Sequence, residues 1–418
     1  MRAARHRIGP AAALMAALAS CAAGAGEART LGDRGGSTYA EPAVTAAMEA
    51  RSYPSGGVAR LTIRTPGRAA VQFFRAGAEA RRARRDDELA GRPVSAVVRV
   101  TGARTVALRL GRWPSGLYFA ELRQGSLVGY APFVLRPPRL GTHRILVVEP
   151  TNTWQAYNFR DDDRDGVGDT WYASPAIHTV RLDRPFLDRG VPPHYRQYDS
   201  EFVHWLAHDG PPVDVVSDDD LEAVPSGGLL ARDYTLIVFA GHEEYVTPHV
   251  YDVVERYRDL GGNLMFLSAN NFFYRVTRSG QVLHGRTRWR DLGRPEAALV
   301  GAQYVDWNHG TYPNRPYRVV GAPSAPWLFA PAHLRNGATF GNYGIEIDAR
   351  TRRSPPGTKV LCEIRNAFGP GKSAQMTYYE TPRGAKVFDA GVMNFGGTAL
   401  EPPVRALLAA LFRRLSRP

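Results

Sequence analysis

Tyr234-Thr235-Leu236-Ile237-Val238-Phe239-Ala240 is an unbroken apolar run. It leads through Gly241-His242-Glu243-Glu244-Tyr245-Val246-Thr247-Pro248 to a second apolar run, Asn263-Leu264-Met265-Phe266-Leu267. Between the two lies a helix signature: Thr247 as N-cap, Pro248 in the first turn, Val250, Val253, Val254 and Tyr257 on one face, and Gly261-Gly262 as the stop. Apolar runs without polar alternation suit strands buried on both faces, so the segment predicts a βαβ unit within a mostly parallel sheet. Arg144 to Val148 and Val213 to Val216 supply further strands, and Val404, Leu407, Leu408 and Leu411 place a closing helix over Pro402 to Arg417. These elements define an α/β domain over 139–418.

Upstream the pattern changes at Pro137-Pro138. Six short alternating runs precede it: Val58 to Ile63, Ala70 to Phe74, Val94 to Val100, Thr105 to Leu110, Leu117 to Leu122 and Gly129 to Leu135. Their spacing predicts a β-sandwich over 49–138, read as Ig-like. It gathers no catalytic residue types, which suits support or spacing. Residues 22–48 carry no apolar periodicity and read as a flexible tether. Residues 1–21 read as a lipoprotein leader: Arg2, Arg5 and Arg7, an apolar core from Ala11 to Leu18, and Leu18-Ala19-Ser20 before Cys21, the expected lipid attachment site. Ordinary cleavage a few residues later is the alternative. Both routes export the chain, and the lipid would anchor it to a bacterial membrane on the periplasmic or cell-surface side. The leader core is about half of what a bilayer span needs, and no later run reaches that length.

The net charge of +13 comes almost wholly from arginine, with lysine only at 359, 372 and 386. The densest run, Arg81 to Arg85 with one alanine, is followed by Asp86-Asp87-Glu88 and has no interleaved aromatics. It reads as a solvated loop, not a nucleic-acid surface; anionic lipid or a cell-surface polymer is the charge-based partner that remains. Cys362 sits in a strand-like run and reads as a small core side chain.

In open α/β sheets, ligands bind beyond the carboxyl ends of the strands. Four successive strand ends here carry metal-capable or proton-handling groups: Glu149 to Asn158, Ser217 to Leu221, Gly241 to Tyr245 and Ser268 to Phe273. Convergence of these loops on one sheet edge would build a site.

The run Asn152-Thr153-Trp154-Gln155-Ala156-Tyr157-Asn158, then Asp183-Arg184-Pro185-Phe186, Asp218-Asp219-Asp220-Leu221 and Gly241-His242-Glu243-Glu244-Tyr245, in this order, resembles the C-terminal domain of the N,N-dimethylformamidase large subunit over roughly residues 140 to 415. The resemblance implies a class I glutamine amidotransferase-like (flavodoxin-like) α/β fold without the cysteine nucleophile, and a single ferric ion held by two tyrosinates and a glutamate. Carried over, Glu244 matches the glutamate and Tyr157 and Tyr172 match the tyrosines. His242 and Asn270 match pocket residues, and Glu346 a further carboxylate. The family also implies a small amide substrate and leaves room for a small partner subunit or an oligomer. Phenolate binding at neutral pH requires a hard, highly charged cation in place of the proton, which favours Fe(III) over calcium. The same residues also suit a structural role, as strand-end aromatics and a helix cap.

The sequence departs from relatives at Asp161-Asp162-Asp163-Arg164-Asp165-Gly166-Val167-Gly168-Asp169. Asp161, Asp163, Asp165 and Asp169 with glycine at the sixth position follow a calcium-loop pattern; a bare acidic loop is the other reading. Two functions follow. One is a metal-dependent hydrolase of C–N bonds in small amides. The other is a non-catalytic cell-surface binder of glycan or peptide, in which calcium is structural and Trp154, Trp171, Trp289 and Trp307 serve sugar stacking.

Overall fold

Successive residues of Ile145-Leu146-Val147-Val148 turn to opposite sides of a sheet and are all buried, as a strand covered on both faces requires. The computed structural model describes residues 42–417; the leader, Cys21 and most of the tether lie outside the described residues.

The N-terminal unit contains β1 (Thr45–Met48), β2 (Ser52–Pro54), β3 (Val58–Arg64), β4 (Arg68–Ala76), β5 (Gly91–Pro93), β6 (Val98–Thr101), β7 (Arg104–Arg109), β8 (Gly116–Gln124) and β9 (Leu127–Arg136). One sheet runs β1-β3-β7 and the other β2-β9-β8-β4-β5, with β6 also on β4. Leu61 and Ile63 from the first meet Phe73, Tyr118 and Phe133 from the second in one core. All six expected runs contribute strands. β1 is an addition, pairing with β3 through four residues that the sequence assigns to the tether. The opposite face of the second sheet, through Leu117, Phe119, Tyr130 and Val134, packs onto the α/β unit.

That unit is built on nine strands. Its parallel part comprises β10 (Ile145–Glu149), β12 (Asp214–Ser217), β13 (Leu236–Phe239), β15 (Asn263–Phe266) and β24 (Lys386–Asp389), in the order β12-β10-β13-β15-β24. The sheet continues antiparallel through β23 (Ala374–Glu380), β22 (Lys359–Ile364), β19 (Arg315–Val319) and β20 (Thr339–Tyr343). Of this extension the sequence marks only the strand-like run around Cys362, which is fully buried as a core side chain; the other three strands are absent from that reading. A smaller sheet, β11-β17-β16-β14, joins Thr179–Arg181, Val282–Arg288, Tyr274–Ser279 and Tyr245–Val246, and a separate pair links β18 (Gln303–Trp307) to β21 (Glu346–Ala349).

Helix α1 (Thr151–Ala156) follows β10, and α2 (Ser200–His208) covers one sheet face with the closing helix α5 (Pro402–Leu415). On the other face lie α3 (Asp218–Glu222) and α4 (Pro248–Asp259). Thr247 caps α4 by accepting from the Val250 amide at 3.2 Å, as its sequence predicts. Among the described residues, no helix is long and apolar enough to cross a membrane.

Candidate metal centre

From β10 the chain moves outward to β12, then returns past β10 to β13. The loops after β10 and β13 therefore leave the carboxyl edge on either side of the point where strand order reverses, where such sheets form a crevice. The first loop is α1, ending at Tyr157. Its N-terminus is held from outside: the Asp218 carboxylate accepts from the Asn152 amide at 2.6 Å and the Thr151 hydroxyl at 3.0 Å. Its C-terminus is held by the buried Arg184 guanidinium, which donates to the carbonyls of Gln155 (3.0 Å), Asn158 (3.2 Å) and Arg160 (3.2 Å). Tyr157 thus projects from a short helix fixed at both ends.

The second loop, Gly241 to Tyr245, ties to α1 through the Glu244 amide, which donates to Thr153 Oγ1 at 3.1 Å. Gly241 has to be glycine, because a Cβ there would run into Asp199 and Pro150. The loop after β15 supports it from below. The Phe272 amide donates to the Glu243 carbonyl (2.6 Å) and the Tyr274 amide to the Glu244 carbonyl (2.9 Å). Asn270 and Phe272 both adopt left-handed backbone, at φ +57° each, a conformation that costs a non-glycine residue energy and gathers at functional sites.

Glu244 is the hub. The Tyr157 hydroxyl donates to its Oε2 at 2.9 Å, and the Tyr172 hydroxyl lies 3.3 and 3.2 Å from Oε1 and Oε2. The two phenol oxygens are 3.0 Å apart and their rings stack at 4.6 Å. His242 Nε2 is 3.5 Å from Glu244 Oε2 and 3.9 Å from Glu346 Oε2. That nitrogen is buried without a hydrogen-bond partner, as is Asn270 Oδ1. The Asn270 backbone amide donates to Asp348 Oδ1 at 2.9 Å, which fixes the residue in the loop after β15. Tyr157, Tyr172, His242, Glu244 and Glu346 therefore come together from four separate stretches of chain.

Burial sets the electrostatics. It pushes the Glu244 carboxyl up to about 7, opposed by the hydrogen bond from Tyr157. Burial, followed by the Glu244 charge, raises the Tyr157 and Tyr172 phenols well above their ordinary value of 10. Burial also pushes His242 down to about 3, leaving the imidazole neutral. A set of hard oxygen donors that retains its protons when alone is suited to a highly charged cation, which would displace them. His242 Nε2 and Asn270 Oδ1 are buried polar atoms left without a hydrogen-bond partner, the kind of group that a bound ligand or water would satisfy.

Sequence reasoning passed over two neighbours. Tyr245, adjacent to Glu244 in the motif, is fully buried and its hydroxyl contacts that of Tyr172. Arg286 on β17 places its guanidinium 5.1 Å from the Tyr172 ring centre. Nothing local in the sequence marks Arg286, since the contact depends on how β17 folds back. Behind the site, Glu149 and Asp199 are buried carboxyls that burial pushes up to about 8 and about 7.

In the acidic loop, carboxylate oxygens of Asp161, Asp163 and Asp165 lie within 4.8 Å of one another. Asp161 also accepts from the amides of Arg164 (2.7 Å) and Gly166 (2.9 Å), which curls the loop. Asp169 does not join them; its Oδ2 accepts from the Asp162 amide at 2.7 Å. Of the four tryptophans offered for sugar stacking, Trp154, Trp171 and Trp289 are buried in the cores.

The N,N-dimethylformamidase beta subunit of Paracoccus aminophilus is 26% identical over 203 residues, covering 39% of this chain and 26% of that protein. The N,N-dimethylformamidase beta subunit of an Alcaligenes species is 25% identical over 202 residues, with the same coverages of 39% and 26%. The match thus spans about a quarter of the length of these relatives. Among solved structures, the mmIFT52 N-terminal domain aligns at 12% identity and a TM-score of 0.30, over 49% of this chain and 85% of that chain. The family match begins inside the β-sandwich, at β7, and runs on through the α/β unit. Over residues 103–403 the sequence fits the model for N,N-dimethylformamidase beta subunit-like, C-terminal, and the chain belongs to that family.

Proposed function

We propose that this protein is an exported lipoprotein acting as a metal-dependent hydrolase of the C–N bond in small amides, with Tyr157, Tyr172 and Glu244 holding an iron ion. The observation that carries the reading is the convergence of two phenols on one buried carboxylate, with the hydroxyl of Tyr157 at 2.9 Å and that of Tyr172 at 3.2 Å from the same Glu244 oxygen. When bound, the ferric ion would supply Lewis-acid polarisation of an amide carbonyl and acidify water.

The chain's own groups provide the proton handling. His242 offers a neutral imidazole whose Nε2 makes no hydrogen bond, so it can accept one from water and orient it. Glu346, 3.9 Å from that nitrogen, can pass a proton on to the departing amine. Asn270, with its amide nitrogen tied down by Asp348, offers its side chain to orient the amide. The relatives are named as a beta subunit, and a second, different subunit belongs to this proposal.

The fold reading extends it. Numbered along the chain, the five parallel strands stand in the order 2-1-3-4-5, which supports a flavodoxin-like, amidotransferase-like unit. In the sandwich, the Tyr118 hydroxyl donates to the Pro114 carbonyl at 2.7 Å, a contact like the tyrosine corner of Ig-like domains. Calcium at Asp161, Asp163 and Asp165 is part of the same proposal, as an element that orders the segment between Tyr157 and Tyr172.

The test is iron content and visible absorption of the purified chain beside Glu244→Gln. The parent should hold about one iron with a tyrosinate charge-transfer band, and the variant should lose both. Full iron occupancy in Glu244→Gln would refute the assignment. A colourless parent that binds calcium alone would favour the cell-surface binder.

A further inference from the structure

The two phenol oxygens facing Glu244 have different surroundings. That of Tyr157 meets Glu244 and Tyr172. That of Tyr172 meets the same carboxylate and, in addition, the hydroxyl of Tyr245. Tyr245 is wholly buried, with its ring 5.0 Å from Trp171 and stacked on Tyr274 at 5.6 Å, so its hydroxyl has little freedom to turn away. The Arg286 guanidinium lies 5.1 Å from the Tyr172 ring centre, 5.3 Å from that of Tyr274 and 6.0 Å from that of Trp171. A hydrogen bond to the Trp171 carbonyl at 3.3 Å holds it there. Among the described residues it forms no ion pair with a carboxylate, and its charge acts on the rings and, at longer range, on Glu244.

We infer that Tyr245 and Arg286 are positioning residues that make Tyr172 the weaker electron donor of the two tyrosine ligands. The inference rests on the iron reading above. A phenol that binds an ion gives up its proton and can only accept from its neighbours. Of the hydroxyls around Tyr172, that of Tyr245 is the one outside the proposed ligand set, so it remains a donor, to Tyr172 and to the Glu244 carboxylate. Tyr157 receives no matching bond. Outer partners of this kind orient a ligand and tune its donor strength. A hydrogen bond to the oxygen and a cation over the ring both stabilise the filled orbitals of the phenolate. Charge transfer from Tyr172 to the ion then needs more energy than charge transfer from Tyr157.

The experiment loads the full chain with ferric iron and records the visible band and iron retention against a competing chelator for the parent, Tyr245→Phe, Arg286→Met and Arg286→Lys. Tyr245→Phe and Arg286→Met should move the band to longer wavelength with iron still held against the chelator. Arg286→Lys, which keeps the charge, should stay nearer the parent. An unmoved band in both Tyr245→Phe and Arg286→Met, with iron still bound, overturns this inference and leaves the iron site standing. A Lys variant shifted as far as the Met variant also overturns it. If Tyr245→Phe fails to fold, the Arg286 pair decides, because that side chain is exposed and its replacement leaves the core intact. A parent without any tyrosinate band overturns the iron reading and this inference together.

Discussion

Glu149 ends β10 with 2% of its surface exposed and its Oε2 without a hydrogen-bond partner. Burial, then the charges of Asp199 and Asp218, push its carboxyl from 4.5 up to about 8. The folded chain therefore keeps a proton that the unfolded chain releases. The stabilisation from that proton is complete below the unfolded value and is lost as pH rises toward the folded one. Between about pH 5 and about pH 8 these two values imply a loss of about 3 to 4 kcal/mol of folding stability. Glu149→Gln keeps the shape and removes the titration. Asp199, pushed up to about 7, remains in the variant and contributes a smaller slope of the same sign. Urea unfolding at the two pH values should show the parent losing about 3 kcal/mol more than the variant on going to the higher pH, with similar m-values. Losses that agree within about 1 kcal/mol would refute the argument that Glu149 is held neutral by its surroundings.

Arg51, on the N-terminal unit, donates to Asp219 at 2.8 Å and to Asn152 Oδ1 on α1 at 2.9 Å, so Arg51→Ala should cost about 2 to 3 kcal/mol in denaturant unfolding. Arg278 stays on Asp219 and keeps the cost below that of a fully orphaned buried charge. A loss under about 0.5 kcal/mol would mean that the β-sandwich does not brace the site. Calcium should raise the melting temperature of the parent and leave Asp163→Asn unmoved; at about ten times Kd the gain is about 1.4 kcal/mol. An equal rise in the variant would remove calcium from this loop.

The βαβ unit was legible because its signals are local. Thr247, Pro248 and Gly261-Gly262 mark the ends of α4, and the spacing from Val250 to Tyr257 marks its buried face. The same holds for the six alternating runs of the sandwich. β2 and β5, three residues each and each ending in proline, carry too little pattern to be read. The antiparallel extension was not legible, since which strand pairs with β24 is set by contacts distant in sequence. Within the site, Tyr157, His242 and Glu244 stood out through motif order, Tyr172 was carried over from the resemblance outside those motifs, and Tyr245 was missed although it adjoins Glu244. Arg286 left no trace, because one arginine among many gives no hint of the three rings it covers. Asp169 fits the loop pattern by spacing but lies outside the cluster of Asp161, Asp163 and Asp165, and its carboxylate accepts from the Asp162 amide.

The return of the chain to β24 has a consequence for the order of assembly. β15 and β24 are direct neighbours, yet β16 to β23 intervene between them. Closing roughly 120 residues of chain costs about 4 kcal/mol of entropy before a single ladder bond repays it. The strands from β10 to β15, with local crossovers, can pair well before this closure. Tyr157, Tyr172, His242 and Glu244 belong to that early half, whereas Glu346 arrives only with the long excursion. A nascent chain would thus bring these side chains near one another while the far wall of the pocket is still being built, and Glu244 would be locked only when Tyr274, at the start of the excursion, pairs beside it.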